Sequence, residues 1–212
     1  VAHGSKKERR TKRRRTLVLL FATVRRRFMA LVSSTMMMPL GSRAPDFALM
    51  ETSGQRVSLA DLKVSKGLLV VFMCNHCPYV KHVADQLRLI GEEYIPQGIA
   101  MVGINPNDAT QYPEDSFDKM IEEKKARRYP FPYLYDEEQK VARAYDAACT
   151  PDFFLFGRDL KLVYRGRLDE TRPSSATLAH GRDLRAALSA VLQERELPGE
   201  QIPSMGCSIK WR

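Results

Sequence analysis

Two thiols three residues apart, Cys74 and Cys77 in Cys74-Asn75-His76-Cys77, stand close enough to form and break a disulfide within one helical turn. An unbroken apolar run at 67–73 leads straight into them, the mark of a strand buried on both faces. Apolar residues at helical spacing (Val80, Val83, Ala84, Leu87, Ile90) follow. A cysteine at such a strand-to-helix junction meets the unpaired N–H groups and positive dipole end of the first helical turn, which favour thiolate over thiol. The expected roles are therefore Cys74 as a nucleophile of lowered pKa and Cys77 as the thiol that resolves a mixed disulfide. His76 adds a donor or a positive charge that makes the disulfide more oxidising. Pro78 fits a first helical turn, where no N–H is needed.

Other chemistries use the same residue types. Haem attachment requires His after the second cysteine, and position 78 is Pro. Structural zinc needs two more ligands at matching spacing; Cys149, Cys207 and His82 are available in principle, but neither zinc nor copper is expected. Two buried cysteines that only pack are a further alternative. His82 is expected to be an ordinary helix-surface residue. No Gly-rich dinucleotide fingerprint is present, and no organic cofactor or metal is expected.

The elements that must position the pair follow from periodicity and turn chemistry. Residues 38–46 are turn-rich and open the domain. Two short alternating runs within 47–59, about Ser53-Gly54, predict a hairpin. Strands are expected at 67–73, 99–104 and 133–135, and helices at 80–95, 115–127 and 137–147. Residues 153–156 and 161–165 flank Gly157-Arg158-Asp159 as a second hairpin. A closing helix is expected at 178–193, and a Pro- and Gly-containing C-terminal tail at 197–212. Strand–helix alternation ending in a hairpin and a helix gives an α/β fold, a central mixed β-sheet flanked by helices.

The chain has 212 residues and a net charge of +9, but the charge is concentrated. Residues 1–35 hold eleven basic side chains and one acid, while the rest holds 23 basic and 24 acidic residues. The body is thus near neutral and argues against nucleic acid as a partner. The apolar run at 16–24, with three arginines on each side, is too short to span a bilayer, so no stable membrane insertion is expected. Residues 1–37 read as a basic leader, disordered or outside the mature protein, 38–196 as the domain, and 197–212 as a tail. An organelle transit peptide is the other reading of the leader. Four cysteines (Cys74, Cys77, Cys149, Cys207) in so long a chain are no disulfide scaffold. They fit a bacterial cytoplasm, whereas a genuine leader points to export or an organelle.

Together these features resemble the thioredoxin-like superfamily, and within it the redoxin, AhpC/TSA-like branch that holds peroxiredoxin-related proteins and C-x-x-C oxidoreductases. The resemblance rests on Ala44-Pro45-Asp46-Phe47, the strand into Cys74-Asn75-His76-Cys77-Pro78-Tyr79, and Cys149-Thr150-Pro151-Asp152. Bacterial thioredoxin-family proteins similarly carry Cys-Asn-His-Cys-Pro-Tyr-Val-Lys-His (here 74–82), Tyr-Pro-Glu-Asp-Ser (112–116) and Gly-Cys-Ser-Ile-Lys-Trp (206–211). The resemblance covers 38–212. It implies a thioredoxin-like fold with an N-terminal hairpin extension and an inserted helix. It also implies that Pro151 is a cis-proline facing the redox cysteines; a trans-Pro at the start of an edge strand is the alternative.

The departures are informative. Thioredoxin has a buried Asp six positions before the first cysteine, where Leu68 stands here, so the usual proton acceptor is missing. The Pro-x-x-x-Thr-x-x-Cys of peroxiredoxins, counted back from Cys77, meets Cys74 and Val70 instead of Thr and Pro. The leading expectation is a thiol–disulfide oxidoreductase of cell redox homeostasis, acting on protein or small-molecule disulfides and dithiols. A thiol peroxidase acting on hydroperoxides and a redox-inert or metal-binding module are the alternatives. One of Cys149 and Cys207 is expected to be a further redox cysteine, against a buried Cys149 and an incidental tail thiol.

Overall fold

The computed structural model describes Val1, residues 30–197 and residues 200–212; the arginine-flanked apolar run of the leader lies outside the described residues. Among the described residues the first elements are β1 (Leu31–Ser33), β2 (Ala48–Glu51) and β3 (Arg56–Ser58). Next come β4 (Gly67–Phe72), α1 (Pro78–Tyr94), β5 (Ile99–Asn105), α2 (Phe117–Arg127) and β6 (Tyr133–Tyr135). The last part holds α3 (Lys140–Ala144), β7 (Cys149–Thr150), β8 (Asp152–Gly157), β9 (Leu162–Tyr164), α4 (Arg182–Leu192) and β10 (Met205–Ser208).

Because β4 has no polar side chain to keep in water, it runs through the middle of the molecule, buried at every residue. It pairs in parallel with β5 and antiparallel with β8, in a seven-stranded mixed sheet of order β3-β2-β6-β5-β4-β8-β9. Alternation along β4 splits the core in two. Leu69, Val71 and Met73 face α1 and α4, meeting Val83, Leu87, Ile90, Leu184 and Leu188. Leu68, Val70 and Phe72 face the other way, toward α3 and the rings of Tyr145, Phe154 and Phe156. Each such burial contributes about 1.5–3 kcal/mol. The expected α/β fold, a mixed sheet flanked by helices, is what forms. The hairpin β2–β3 extends one edge, turning at Gly54, whose φ of +84° suits a residue without Cβ.

Four expectations are corrected. The domain does not start at 38: β1 pairs with β10, and Ser34 is buried with its hydroxyl on Asp152 Oδ2 at 3.2 Å. Nor is 197–212 a loose tail. β10 is the middle strand of a second, three-stranded sheet of order β1-β10-β7, and Ile209 enters the core beside Phe154. The helix expected at 137–147 shrinks to five residues. Gln139 there adopts a left-handed backbone and uses its amide on Pro106 O, Lys210 O and the Arg212 N–H. The helix expected from 178 starts at Arg182. The residues before it are tied to the loop at Asp169 instead, since the His180 and Gly181 N–H groups both donate to Asp169 Oδ2 at 2.7 Å.

Candidate active site

The loop from Met73 to Cys77 joins β4 to α1, and Cys77, not Cys74, is the N-cap of the helix, with Pro78 in the first turn. Both cysteines rest on β7. The Cys74 Sγ lies 3.3 Å from the Thr150 hydroxyl, and the Cys77 thiol donates to Thr150 O at 3.1 Å. Thr150–Pro151 is a cis peptide bond, as the resemblance implied. Cys74 and Cys77 are 1% and 0% exposed, so any partner reaches them only after a local opening.

On the Cys74 side the surroundings are polar. Asp115, fully buried, accepts the Asn75 and His76 N–H groups on Oδ1 at 2.8 and 3.2 Å. Its Oδ2 accepts the Asn107 amide at 2.7 Å and lies 2.5 Å from His76 Nδ1. The His76 ring stacks on Tyr112, and its Nε2 has no partner among the described residues. A His76 ring nitrogen, an Asp115 oxygen and the Cys74 sulfur lie within 4.8 Å of one another. Tyr133 closes the loop from beneath, donating its hydroxyl to Asn75 Oδ1 at 2.9 Å. The thiol thus stands near a histidine whose ring a carboxylate orients, without a direct hydrogen bond between the two.

The Cys77 side is made of sulfur and strand. Cys207, on β10, shares a hydrogen bond with Cys77. Hydrogen bonds from the Cys207 and Cys74 thiols, together with the N-cap position, pull the Cys77 pKa down despite burial. Burial pushes the Cys74 pKa up, and the bond it gives Cys77 adds to this. The expected lowering of Cys74 is thus corrected. The helix end lies three residues further on, and the sulfur whose pKa is pulled down is Cys77.

The remaining expected residues fall as follows. Pro151 is buried beside the pair. Cys207 joins Cys74 and Cys77 in one cluster, while Cys149 stays out of it, its pKa raised by burial and then by Asp152. His82 is not a plain surface residue: it is half-buried and its Nε2 lies 2.8 Å from the Thr171 hydroxyl. It lines a cavity of about 190 Å³ with Tyr79, Pro151, Arg167 and Met205, which neither Cys74 nor Cys77 lines. Among the described residues two clusters have metal-ligand residue types, Cys74–His76–Asp115 and Asp169–Glu170–His180. In both, the buried carboxylate already accepts four hydrogen bonds, from Asn75, His76 and Asn107 in one and Thr171, His180 and Gly181 in the other. These carboxylates therefore serve as organisers of their loops. Sequence reasoning missed Asp115 and placed it in a helix. It sits instead in a 3-10 turn (Pro113–Asp115) ahead of α2, and the signal was the Tyr-Pro-Glu-Asp-Ser motif, quoted there without a role.

Residues 40–165 match the AhpC/TSA family. An uncharacterized conserved protein from Geobacillus kaustophilus is 52% identical over 87% of this chain and 98% of its own, with a TM-score of 0.84. A hypothetical protein from Sinorhizobium meliloti 1021 is 46% identical over 85% of this chain and 97% of its own, with a TM-score of 0.82. The thiol-disulfide oxidoreductase ResA of Bacillus subtilis (strain 168) is 28% identical over 123 residues, 58% of this chain. That match takes in 64% of the ResA chain, less than two thirds of its length. A more distant structure, the thioredoxin domain of a thiol-disulfide oxidoreductase from Bacteroides vulgatus, shares the fold at 19% identity over 60% of this chain and 88% of its own, with a TM-score of 0.52. Among the described residues no helix is long and apolar enough to cross a membrane.

Proposed function

The chain belongs to the AhpC/TSA family, and from that premise we propose that it is a thiol–disulfide oxidoreductase cycling Cys74 and Cys77 between dithiol and disulfide. The observation that carries this reading is two sulfurs set side by side on the cis Thr150–Pro151 segment, with a carboxylate-oriented histidine near the first. The likeness to ResA supports it.

In the reductive direction Cys74 passes its proton to His76, held by Asp115, and its thiolate attacks one sulfur of a substrate disulfide. The substrate S–S bond breaks, and the departing thiolate takes the proton from His76. Cys77 attacks Cys74 in the mixed disulfide, its proton passing to the leaving substrate sulfur. The Cys74–Cys77 bond forms as the second substrate thiolate leaves. His76 and Asp115 supply the proton acceptor that Leu68 cannot. Pro151, with the cavity beside it, shapes the groove for the substrate chain. A partner dithiol restores the pair. Substrates are disulfides and dithiols of proteins or small molecules.

Insulin reduction with dithiothreitol as donor tests this. Wild-type protein accelerates it, and Cys74→Ser and Cys77→Ser fall to the uncatalysed background. Asp115→Asn keeps the dithiol but loses the carboxylate that orients His76, so its rate falls well below wild type while the Cys74–Cys77 disulfide still forms. Failure to reduce insulin, with rapid consumption of hydroperoxide instead, would overturn the reading in favour of a peroxidase.

A further inference from the structure

Cys207 was expected in a flexible tail able to fold back over the site, and the fold places it in the middle strand of the small sheet. β10 is clasped on both sides, by β1 with Leu31 opposite Cys207 and by β7 with Thr150 opposite Cys207. Residues directly opposite in an antiparallel pair share a face. The Thr150 hydroxyl lies 3.3 Å from Cys74 Sγ, so Cys207 is on the Cys74–Cys77 face. Cys149, one residue along β7, is opposite Ser208 on the other face, its thiol directed to Pro151 O at 3.5 Å.

The approach of β10 is close enough to constrain its sequence. A Cβ on Gly206 would stand 2.1 Å from Thr150 O, so only glycine lets the strand settle here. Ser204 fixes the entry by donating its hydroxyl to Pro151 O at 2.8 Å. After the strand, the Lys210 N–H donates to Asn107 Oδ1 at 2.9 Å, and the Lys210 carbonyl accepts from the Asp108 N–H at 2.9 Å. The Cys207 sulfur is thereby held against Cys77, 4% exposed and in the same cluster as Cys74 and Cys77.

We propose that Cys77 is the shared sulfur of two alternative disulfides, Cys74–Cys77 and Cys77–Cys207, and that Cys207 relays oxidation away from Cys74. This rests on the dithiol reading above and deepens it. Once Cys74–Cys77 has formed, the Cys207 thiolate attacks Cys77 Sγ. The Cys77–Cys207 bond forms and the Cys74–Cys77 bond breaks. Cys74 leaves with the electron pair as a thiolate, and the Cys207 proton ends on the Cys74 side, on the thiolate or on His76. One thiol and one disulfide stand on each side of the exchange, so no further oxidant enters. The charge pattern favours timing. The bond Cys207 gives Cys77 is the first cause holding Cys207 protonated, and that acceptor is lost when Cys77 enters a disulfide. The nearby Lys210 ammonium then favours the Cys207 thiolate. The outcome is an oxidised protein that presents a thiol at Cys74, poised for a second substrate, with the N-terminus of α1 cross-linked to the strand that covers it.

The test is disulfide mapping by mass spectrometry of the full chain, alkylated after equilibration in glutathione redox buffers. In Cys74→Ser the expected product is a single Cys77–Cys207 disulfide, formed in the same buffers that oxidise wild type. In wild type, part of the oxidised population should carry an alkylated Cys74 with Cys77 linked to Cys207. Cys207→Ser should form only Cys74–Cys77. Circular dichroism melts confirm that each variant folds, and the wild-type mapping stands even where one does not. Cys77 and Cys207 both remaining alkylatable in Cys74→Ser, with no linked pair in wild type, would overturn the relay. If Cys207→Ser still forms Cys74–Cys77 in that case, the oxidoreductase reading survives; if no variant forms it, that reading fails first.

Discussion

The two sheets of this molecule are built on different physics. The seven-stranded sheet is a hydrophobic object. β4 is apolar throughout, and both of its faces are filled by side chains less than a tenth exposed. The three-stranded sheet gathers short segments far apart in the sequence, and hydrogen bonds and close backbone approach hold it. Ser34 reaches Asp152, Ser204 reaches Pro151, and Gly206 passes under Thr150. The large sheet supplies stability and fixes where the cysteine loop begins. The small one covers the sulfurs and brings a third to them. Stability and reactivity are therefore separable.

The largest effect on stability is expected in the large sheet. Phe156 is fully buried and packs edge-on against Tyr145 with ring centroids 6.0 Å apart. Phe156→Ala should cost about 3–5 kcal/mol in denaturant titrations. It should leave the disulfide equilibrium of the folded protein unchanged, and a shift in that equilibrium would tie the two sheets together. Gly206→Val attacks the small sheet, because the new side chain collides with the Thr150 carbonyl. About 1–3 kcal/mol of stability should be lost. Alkylation of Cys74 and Cys77 should quicken at least tenfold, as local opening becomes about 1.4 kcal/mol easier or more. Unchanged alkylation would mean that β10 does not guard the site.

The most localised effect is one of pH. Burial pushes the Asp152 pKa up to about 6 from 3.8, against bonds from the Ala148 N–H and the Ser34 hydroxyl. A carboxyl whose pKa rises on folding binds its proton more tightly in the folded state. Its contribution is present below the unfolded value of 3.8 and is lost as pH rises through about 6. Wild-type stability should therefore fall by on the order of 2–3 kcal/mol between pH 4 and pH 6 relative to Asp152→Asn. Parallel denaturant curves at several pH values check this, and equal slopes for the two proteins would remove Asp152 from the account of the small sheet.

The contrast also explains what could be read from the sequence. β4, α1, β5 and the two hairpins were legible because their partners are generic: any apolar face will cover an apolar run. The cysteine pair and Pro151 were legible because their spacing and motif announce them. Cys207 was legible as a residue but not as a position. Nothing in four residues of β10 predicts that β1 and β7, more than fifty residues away on the nearer side, will clasp it. Asp115 failed for a related reason. Its neighbours fit a helix by period, yet its carboxylate is spent on the backbone of the Cys74 loop, forty residues earlier. Gln139 cut short a helix in the same way, by bonding to strand-end backbone that periodicity does not register.

The central claim is that Cys74 and Cys77 form a working redox couple, and it is tested most directly in Cys207→Ser, where the relay is removed. The reduction potential would be measured by equilibration against glutathione and dithiol buffers, with the linked peptides identified by mass. The expected result is one two-electron transition linking Cys74 to Cys77, at a potential between those of a strong oxidant and of thioredoxin, about −120 to −270 mV. Both sulfurs remaining alkylatable across that whole range would contradict it.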